Sequence, residues 1–219
     1  NASHEFRTPI ATILGEAELA ISAPRTAEEL KTAITIIHKQ AEKMRHLSNN
    51  LLNLAQTGFD GKRQEWKMIR VDELMWNVKE SVEEITNSCS LYMRLDKLPE
   101  SPEDLLVKGN EQLLKLAISN IVLNGCKYSG NKPVNLTIMK VEEYIHIVVE
   151  DEGIGIPQLE LDHIFEPFFR ASNSLKFEGY GIGLPLSLNI IRRHHGMIKV
   201  SSSEGRGTKV VVALPVSKE

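Results

Sequence analysis

Residues 120–129 read Asn-Ile-Val-Leu-Asn-Gly-Cys-Lys-Tyr-Ser. They close a helical stretch running from Glu111 to Tyr128, which places Asn120, Asn124 and Lys127 on one side. Two amides and an ammonium suit a phosphate chain and its magnesium, while Ile121, Val122 and Leu123 are core material. Working outward, residues 134–141 and 144–150 are β-rich runs split by Glu142-Glu143, a hairpin pattern. Asp151-Glu152-Gly153-Ile154-Gly155-Ile156-Pro157 follows the second run directly. An aspartate at a strand end can accept a hydrogen bond from an exocyclic amine, and glycines let the backbone approach a ligand. Taken alone, a Gly-x-Gly after a strand is a turn more often than a site.

Residues 152–180 are irregular, and a loop of that length in a compact domain is usually functional. It contains Phe165-Glu166-Pro167-Phe168-Phe169-Arg170, whose rings need packing partners; Phe165 and Phe168 are expected to anchor the loop. Next comes Gly179-Tyr180-Gly181-Ile182-Gly183-Leu184-Pro185, glycines alternating into a helix with an early proline. Backbone N–H groups at such a start bind anions. No Gly-Lys-Ser/Thr follows, so this is not a P-loop. Shorter expected elements are strands at 67–71, 91–95 and 105–108, a helix capped by Asp72 and running to about Ser88, a helix at 184–195, and two strands across 198–214.

The first 57 residues have a different texture. Ile10, Ile13, Leu14, Ala17 and Ile21 recur at helical spacing. A break at residues 22–26 ends with Thr26 as a plausible N-cap ahead of Glu28 and Glu29. A second helix then carries Leu30, Ile34, Ile37, Ala41, Met44, Ser48, Leu51 and Ala55 in steps of four and three, a heptad seam. Two helices cannot cover such stripes completely; a dimeric four-helix bundle would, and packing on the rest of the chain is the alternative. Residues 57–62 hold two glycines and read as a linker.

His4-Glu5-Phe6-Arg7-Thr8-Pro9 opens the first helix. His4 and Thr8 share a face, and Pro9 should bend the helix. An ordinary imidazole, with a pKa of about 6.5, is largely neutral near pH 7 and has a free lone pair for a phosphoryl group.

The hexapeptide resembles the phosphoacceptor box of histidine kinases, and the later stretches resemble that family's nucleotide boxes, in the family's order. The resemblance covers nearly the whole chain. It implies an antiparallel helical hairpin forming a dimeric four-helix bundle (1–57), a linker (58–65) and an α/β sandwich of the GHKL, or Bergerat, ATP-binding type with a mixed sheet (66–219). It further implies that His4 is phosphorylated, Glu5 is the assisting base and Thr8 positions the hydrolytic water of a reverse phosphatase activity. For the nucleotide site it implies ATP and Mg²⁺, with Asn124 on the metal, Asn120 beside it, Lys127 at phosphate and Tyr128 at the adenine end. Asp151 would read the adenine amine, with Gly153, Gly155, Gly179, Gly181, Gly183, Leu184 and Thr208 lining the site and Phe165 and Phe168 holding the covering loop. The implied partners are a second copy and a response-regulator receiver domain, and the implied setting is the cytoplasmic part of an inner-membrane receptor. Departures from the family pattern are Glu152 for asparagine, Gly125 for alanine, and Ile182 and Pro185 for leucine and alanine. They bear on nucleotide affinity rather than fold.

Composition agrees with a globular chain: 219 residues, net charge -3 and 42% hydrophobic residues. Mild acidity gives no electrostatic reason to expect nucleic acid. No run of about 18 apolar residues is present to span a bilayer. The two cysteines, Cys89 and Cys126, do not make a disulfide framework, and a reducing compartment is the default expectation. His194-His195 reads as a polar helix end. Two other functions compete. An ATP hydrolase of the same superfamily needs a glutamate one turn before the magnesium asparagine, where this chain has Asn120. A degenerate dimeric scaffold would lack Asn124, Asp151 or the glycines, all of which are present.

Overall fold

The computed structural model describes residues 2–56, 66–86 and 89–217. The expected linker at 58–65 lies outside the described residues. The chain divides into two compact units, Asn1–Ala55 and Gln56–Glu219.

The first unit is two helices, α1 (Ala2–Ser22) and α2 (Ala27–Gln56). The helix of α1 runs through Pro9, which is buried. Thr26 starts α2 through a capping box: the Glu29 N–H donates to Thr26 Oγ1 (3.3 Å) and the Thr26 N–H to Glu29 Oε2 (2.8 Å). The Thr26 N–H and, with it, the Thr26 hydroxyl (3.0 Å) donate to the Glu29 carboxylate and hold it below its usual pKa. The apolar stripes are left largely uncovered: Ile10, Leu14, Leu19 and Ile21 of α1 are exposed, as are Leu30 and Ile34 of α2. A cleft between the helices is lined by Leu19, Ala20, Leu30, Ala33 and Ile36.

The second unit is a layer of helices on a mixed sheet. Strands β1 (Lys67–Arg70) and β3 (Leu106–Gly109) pair antiparallel as a small separate sheet. The main sheet has the order β2 (Leu91–Arg94), β4 (Val134–Val141), β5 (Tyr144–Asp151), β7 (Gly207–Pro215), β6 (Met197–Ser203). Only β2–β4 is parallel; the other pairs are antiparallel. Helix α4 (Glu111–Tyr128) lies between α3 (Val71–Ile85) and α5 (Gly183–Arg193) and packs on β4 and β5. Its buried face is Leu114, Ala117, Ile118, Ile121, Val122 and Gly125, the spacing of a core-facing helix. Alternate residues Leu136 and Ile138, Ile145, Ile147 and Val149, and Val212 and Leu214 form the buried sheet side of that core.

Three expectations are corrected. Helix α3 begins at Val71, so Asp72 lies inside its first turn and accepts from Arg70 (2.5 and 3.1 Å) instead of capping. The helix ends at Ile85, where Thr86 is the C-cap. His194 is not a polar helix end: it is 2% exposed, while His195 sits outside with φ 56°, terminating α5. The two cysteines, 37 residues apart, are joined as a disulfide between the segment before β2 and the last turn of α4. Sequence spacing is silent on such a pairing because it depends on how α4 crosses the sheet edge.

Candidate functional site

The last two turns of α4 and the ends of the central strands converge. Asp151 closes β5, opposite Val134 on one side and Thr208 on the other. Its Oδ1 accepts the Gly153 N–H at 2.8 Å. Burial pushes this carboxyl above the usual aspartate pKa, although the Gly153 and Thr208 N–H groups pull the other way. Gly207 has φ 100° and passes so close that a Cβ there would lie 2.0 Å from the Asp151 carbonyl oxygen, so only glycine fits the turn that brings Thr208 alongside.

The loop after Asp151 is bonded to α4 and to β6. The Ile154 N–H donates to the Tyr128 carbonyl (3.1 Å), and Gly153 passes against that same carbonyl. The Gly155 carbonyl accepts from Asn173 Nδ2 (3.0 Å). Ser202 is a hub: its Oγ accepts the Ile156 N–H (2.9 Å), donates to the Gly207 carbonyl (2.8 Å) and meets Thr208 Oγ1 at 2.9 Å. Nothing in the sequence singles out Ser202, because its role depends on which residue faces it across the β6–β7 register.

On α4, Asn124, Lys127 and Tyr128 are half-buried. Lys127 Nζ donates to Tyr128 Oη (3.1 Å), lies 4.7 Å from that ring, and sits where a Cβ on Gly179 would fall 2.7 Å away. The Tyr128 ring meets Phe177 edge-on at 5.1 Å. One turn back, Asn120 faces Gly183, and its Nδ2 is buried without a hydrogen-bond partner. An unpaired buried amide N–H costs about 1–3 kcal/mol, so this donor fits a ligand acceptor at the start of α5. That start has no side-chain cap, which leaves its N–H groups to an anion. Leu184 is half-buried in the first turn and Pro185 is buried beside it.

The covering loop is held at several points. The Phe168 N–H donates to the Gly181 carbonyl (2.9 Å), and Phe168 itself adopts φ 69°. Phe165 and Phe168 are half-buried, but the deeply buried anchors are their neighbours Ile164 and Ile182. Arg170 reaches the carbonyls of Ser174, Leu175 and Phe177 with one guanidinium nitrogen, folding residues 170–177 into a compact turn. No motif marks Arg170 or Phe177 for these roles; a cation inside a glycine-bearing loop is the one signal in the sequence that points to such a staple.

His4 and Glu5 lie in the first turns of α1, and their side chains are outside the described ones. Thr8 is exposed, and its carbonyl accepts from Thr12 Oγ1 (3.1 Å).

Comparison with known proteins gives two family matches. Residues 109–218 match the histidine kinase-, DNA gyrase B- and HSP90-like ATPase family, and residues 1–58 match the His kinase A (phospho-acceptor) domain. The sensor histidine kinase WalK of Bacillus subtilis is 31% identical over 235 residues, covering 100% of this chain and 36% of WalK. The sensor histidine kinase RppB of Synechocystis is 28% identical, covering 99% of this chain and 48% of RppB. The chain thus spans about half the length, or less, of the curated relatives it matches. In fold it is similar to the Acinetobacter baumannii histidine kinase AdeS (TM-score 0.73, 20% identity, 98% of both chains). It is also similar to the histidine kinase ThkA, solved in complex with the response regulator TrrA (TM-score 0.77, 21% identity, 98% of this chain and 60% of that one). With a phospho-acceptor match preceding an ATPase match that spans half the chain, the protein belongs to the sensor histidine kinases of two-component systems.

Proposed function

We propose that this chain transfers the γ-phosphoryl group of ATP to His4 and then to an aspartate of a response-regulator receiver domain. The observation that carries the reading is the Ile154–Tyr128 bond, which ties the loop after Asp151 to the end of α4, the helix that carries Asn124 and Lys127. Asp151 accepts from the adenine amine, since its carboxylate is fixed by backbone N–H groups and half-shielded from water. Lys127 leaves the Tyr128 hydroxyl for phosphate oxygens, and Asn120 donates its orphaned N–H there. Asn124 offers an amide oxygen to Mg²⁺, whose charge offsets that of the phosphates.

His4 supplies the attacking ring nitrogen, Glu5 takes the proton from the other, and the bond from the γ-phosphorus to its bridging oxygen breaks. Catalysis is then positioning and charge neutralisation. Thr8 orients water for the reverse, phosphatase reaction. The uncovered stripes of α1 and α2 are those a second copy would cover, so the working unit is a homodimer. The response-regulator partner is supported by ThkA, a relative in fold that was solved with one. No helix among the described residues is long and apolar enough to cross a membrane. We take the chain as the cytoplasmic catalytic part of a longer receptor.

Incubation with γ-labelled ATP should leave label on the protein that acid removes and alkali spares. The His4→Gln variant should bind ATP with unchanged affinity and carry no label. Label retained in that variant would refute His4 as the acceptor.

A further inference from the structure

We propose that Cys89 and Cys126 form a reversible thiol–disulfide couple, a redox modification site that reacts with low-molecular-weight disulfides and sets how firmly the nucleotide face of α4 is held. The second part of this rests on the ATP-binding reading above.

Cys126 lies on the last turn of α4, two residues after Asn124 and next to Lys127. Cys89 lies between α3 and β2. Their Cα atoms are 5.4 Å apart, inside the range a disulfide spans without backbone movement, and the two sulfurs are bonded. Both residues are half-buried rather than sealed in the core, so a small reagent has a path to them. They are the only cysteines of the chain, so no other pairing within it competes.

The bond ties two load paths together. On one side, the Ser90 carbonyl next to Cys89 accepts the Val134 N–H (2.9 Å), fixing the segment to the start of β4. On the other, the Cys126 carbonyl accepts the Ser129 hydroxyl (2.9 Å) in the turn that ends α4. The Tyr128 carbonyl in that turn holds the Asp151 loop through Ile154. The disulfide therefore braces the helix end that presents Asn124 and Lys127 and supports the Asp151 loop. Reduction removes the brace and leaves the hydrogen bonds alone to hold it.

The chemistry balances with a small disulfide, R–S–S–R, as oxidant. One cysteine thiolate attacks it, forming a mixed disulfide and expelling RS⁻. The second thiolate attacks the protein-bound sulfur of that mixed disulfide and expels the other RS⁻. The two thiol protons end on the two leaving thiolates, so the protein loses two electrons and the oxidant is reduced to two thiols.

The full chain is equilibrated across ratios of reduced to oxidised glutathione, its free thiols are trapped by alkylation, and its intact mass is measured. The expected result is one two-electron transition to a product without bound glutathione, a product that neither Cys126→Ser nor Cys89→Ala can form, since the lone thiol of each can only take up glutathione as a mixed disulfide. Affinity for ATP with Mg²⁺, titrated on the same samples, should follow that transition. The reduced form should bind about two- to tenfold more weakly, the cost of ordering side chains on binding that were held beforehand. Both variants, kept reduced by excess thiol, should match the reduced wild-type protein. Thiols that stay alkylatable throughout, or a glutathione adduct as the sole product, would overturn the couple. Equal affinities of the two wild-type states would overturn its link to the nucleotide. A thiol transition with no ATP bound in either state would sink the ATP-binding reading and leave the couple standing.

Discussion

The Asp151 carboxylate answers to two opposed requirements. Burial disfavours its charge, and two backbone N–H groups offset only part of that cost. Exchanging it for the isosteric amide separates them. Asp151→Asn should lower nucleotide affinity by about tenfold or more, the loss of a charged acceptor, without lowering the ligand-free thermal midpoint. Nucleotide titration beside calorimetry measures both effects. His194 makes the complementary case. Its Nδ1–H donates to the Ile190 carbonyl (2.7 Å), its Nε2 accepts the Asn110 N–H (3.0 Å), and Trp66 stacks on it at 4.8 Å. Burial, with Arg193 and His195 nearby, pushes its pKa below 6.5. The unfolded chain then binds the proton more readily than the folded one. Stability is therefore complete above about pH 6.5 and falls as pH drops below it, by at most about 1.4 kcal/mol per pH unit for one proton. Denaturant melts from pH 7.5 to 5.5 should show that slope, and His194→Gln should flatten it.

At the scale of elements, the covering loop depends on Gly181. Its φ is 67°, and a Cβ there would lie 2.3 Å from the Phe169 carbonyl oxygen. Gly181→Ala should strain the pairing with Phe168 by about 1–3 kcal/mol and expose the loop to limited proteolysis at residues 165–177, with α4 and the sheet intact by circular dichroism. The start of α2 depends on the Thr26–Glu29 box. Thr26→Ala should cost about 1 kcal/mol of helix stability. The bond from the Thr26 hydroxyl to the Glu29 carboxylate contributes above the carboxyl's unfolded pKa and is lost as pH falls through the lowered folded value, so the gap between wild type and variant should narrow in acid, leaving the Glu29 N–H bond to Thr26 Oγ1 as the remainder. Elements of this kind were legible when one local signal dominated. The α4 span was read to the residue, because its apolar spacing is continuous and Asn110 caps it through Leu113 N–H (2.9 Å). The α3 start is not legible from the sequence, because Asp72 is an acceptor near a helix start and only the placement of Arg70 shows which group it serves.

For the whole molecule, the exposed stripes of the helical unit predict assembly. Ile34 on the α2 seam is 64% exposed, and Ile34→Glu should shift a dimer to monomer in sedimentation while leaving ATP affinity unchanged. The Cys89–Cys126 bond closes a loop of 37 residues, worth about 4 kcal/mol in the chain-entropy account, so reduction should lower the denaturation midpoint of the second unit more than that of the first. By itself the sequence determined the helical pair, the β4–β5 hairpin, and the order of His4, Asn124, Asp151 and the glycine runs. Each of these is written in a local period or a short motif. The tertiary structure alone decided that Ser202 would brace the Thr208 turn, that Arg170 would staple the loop, that His194 would join α5 to the start of α4, and that the two cysteines would meet. Those four depend on contacts between residues far apart in the chain or on a turn closed in three dimensions, and local periodicity carries no record of such distances.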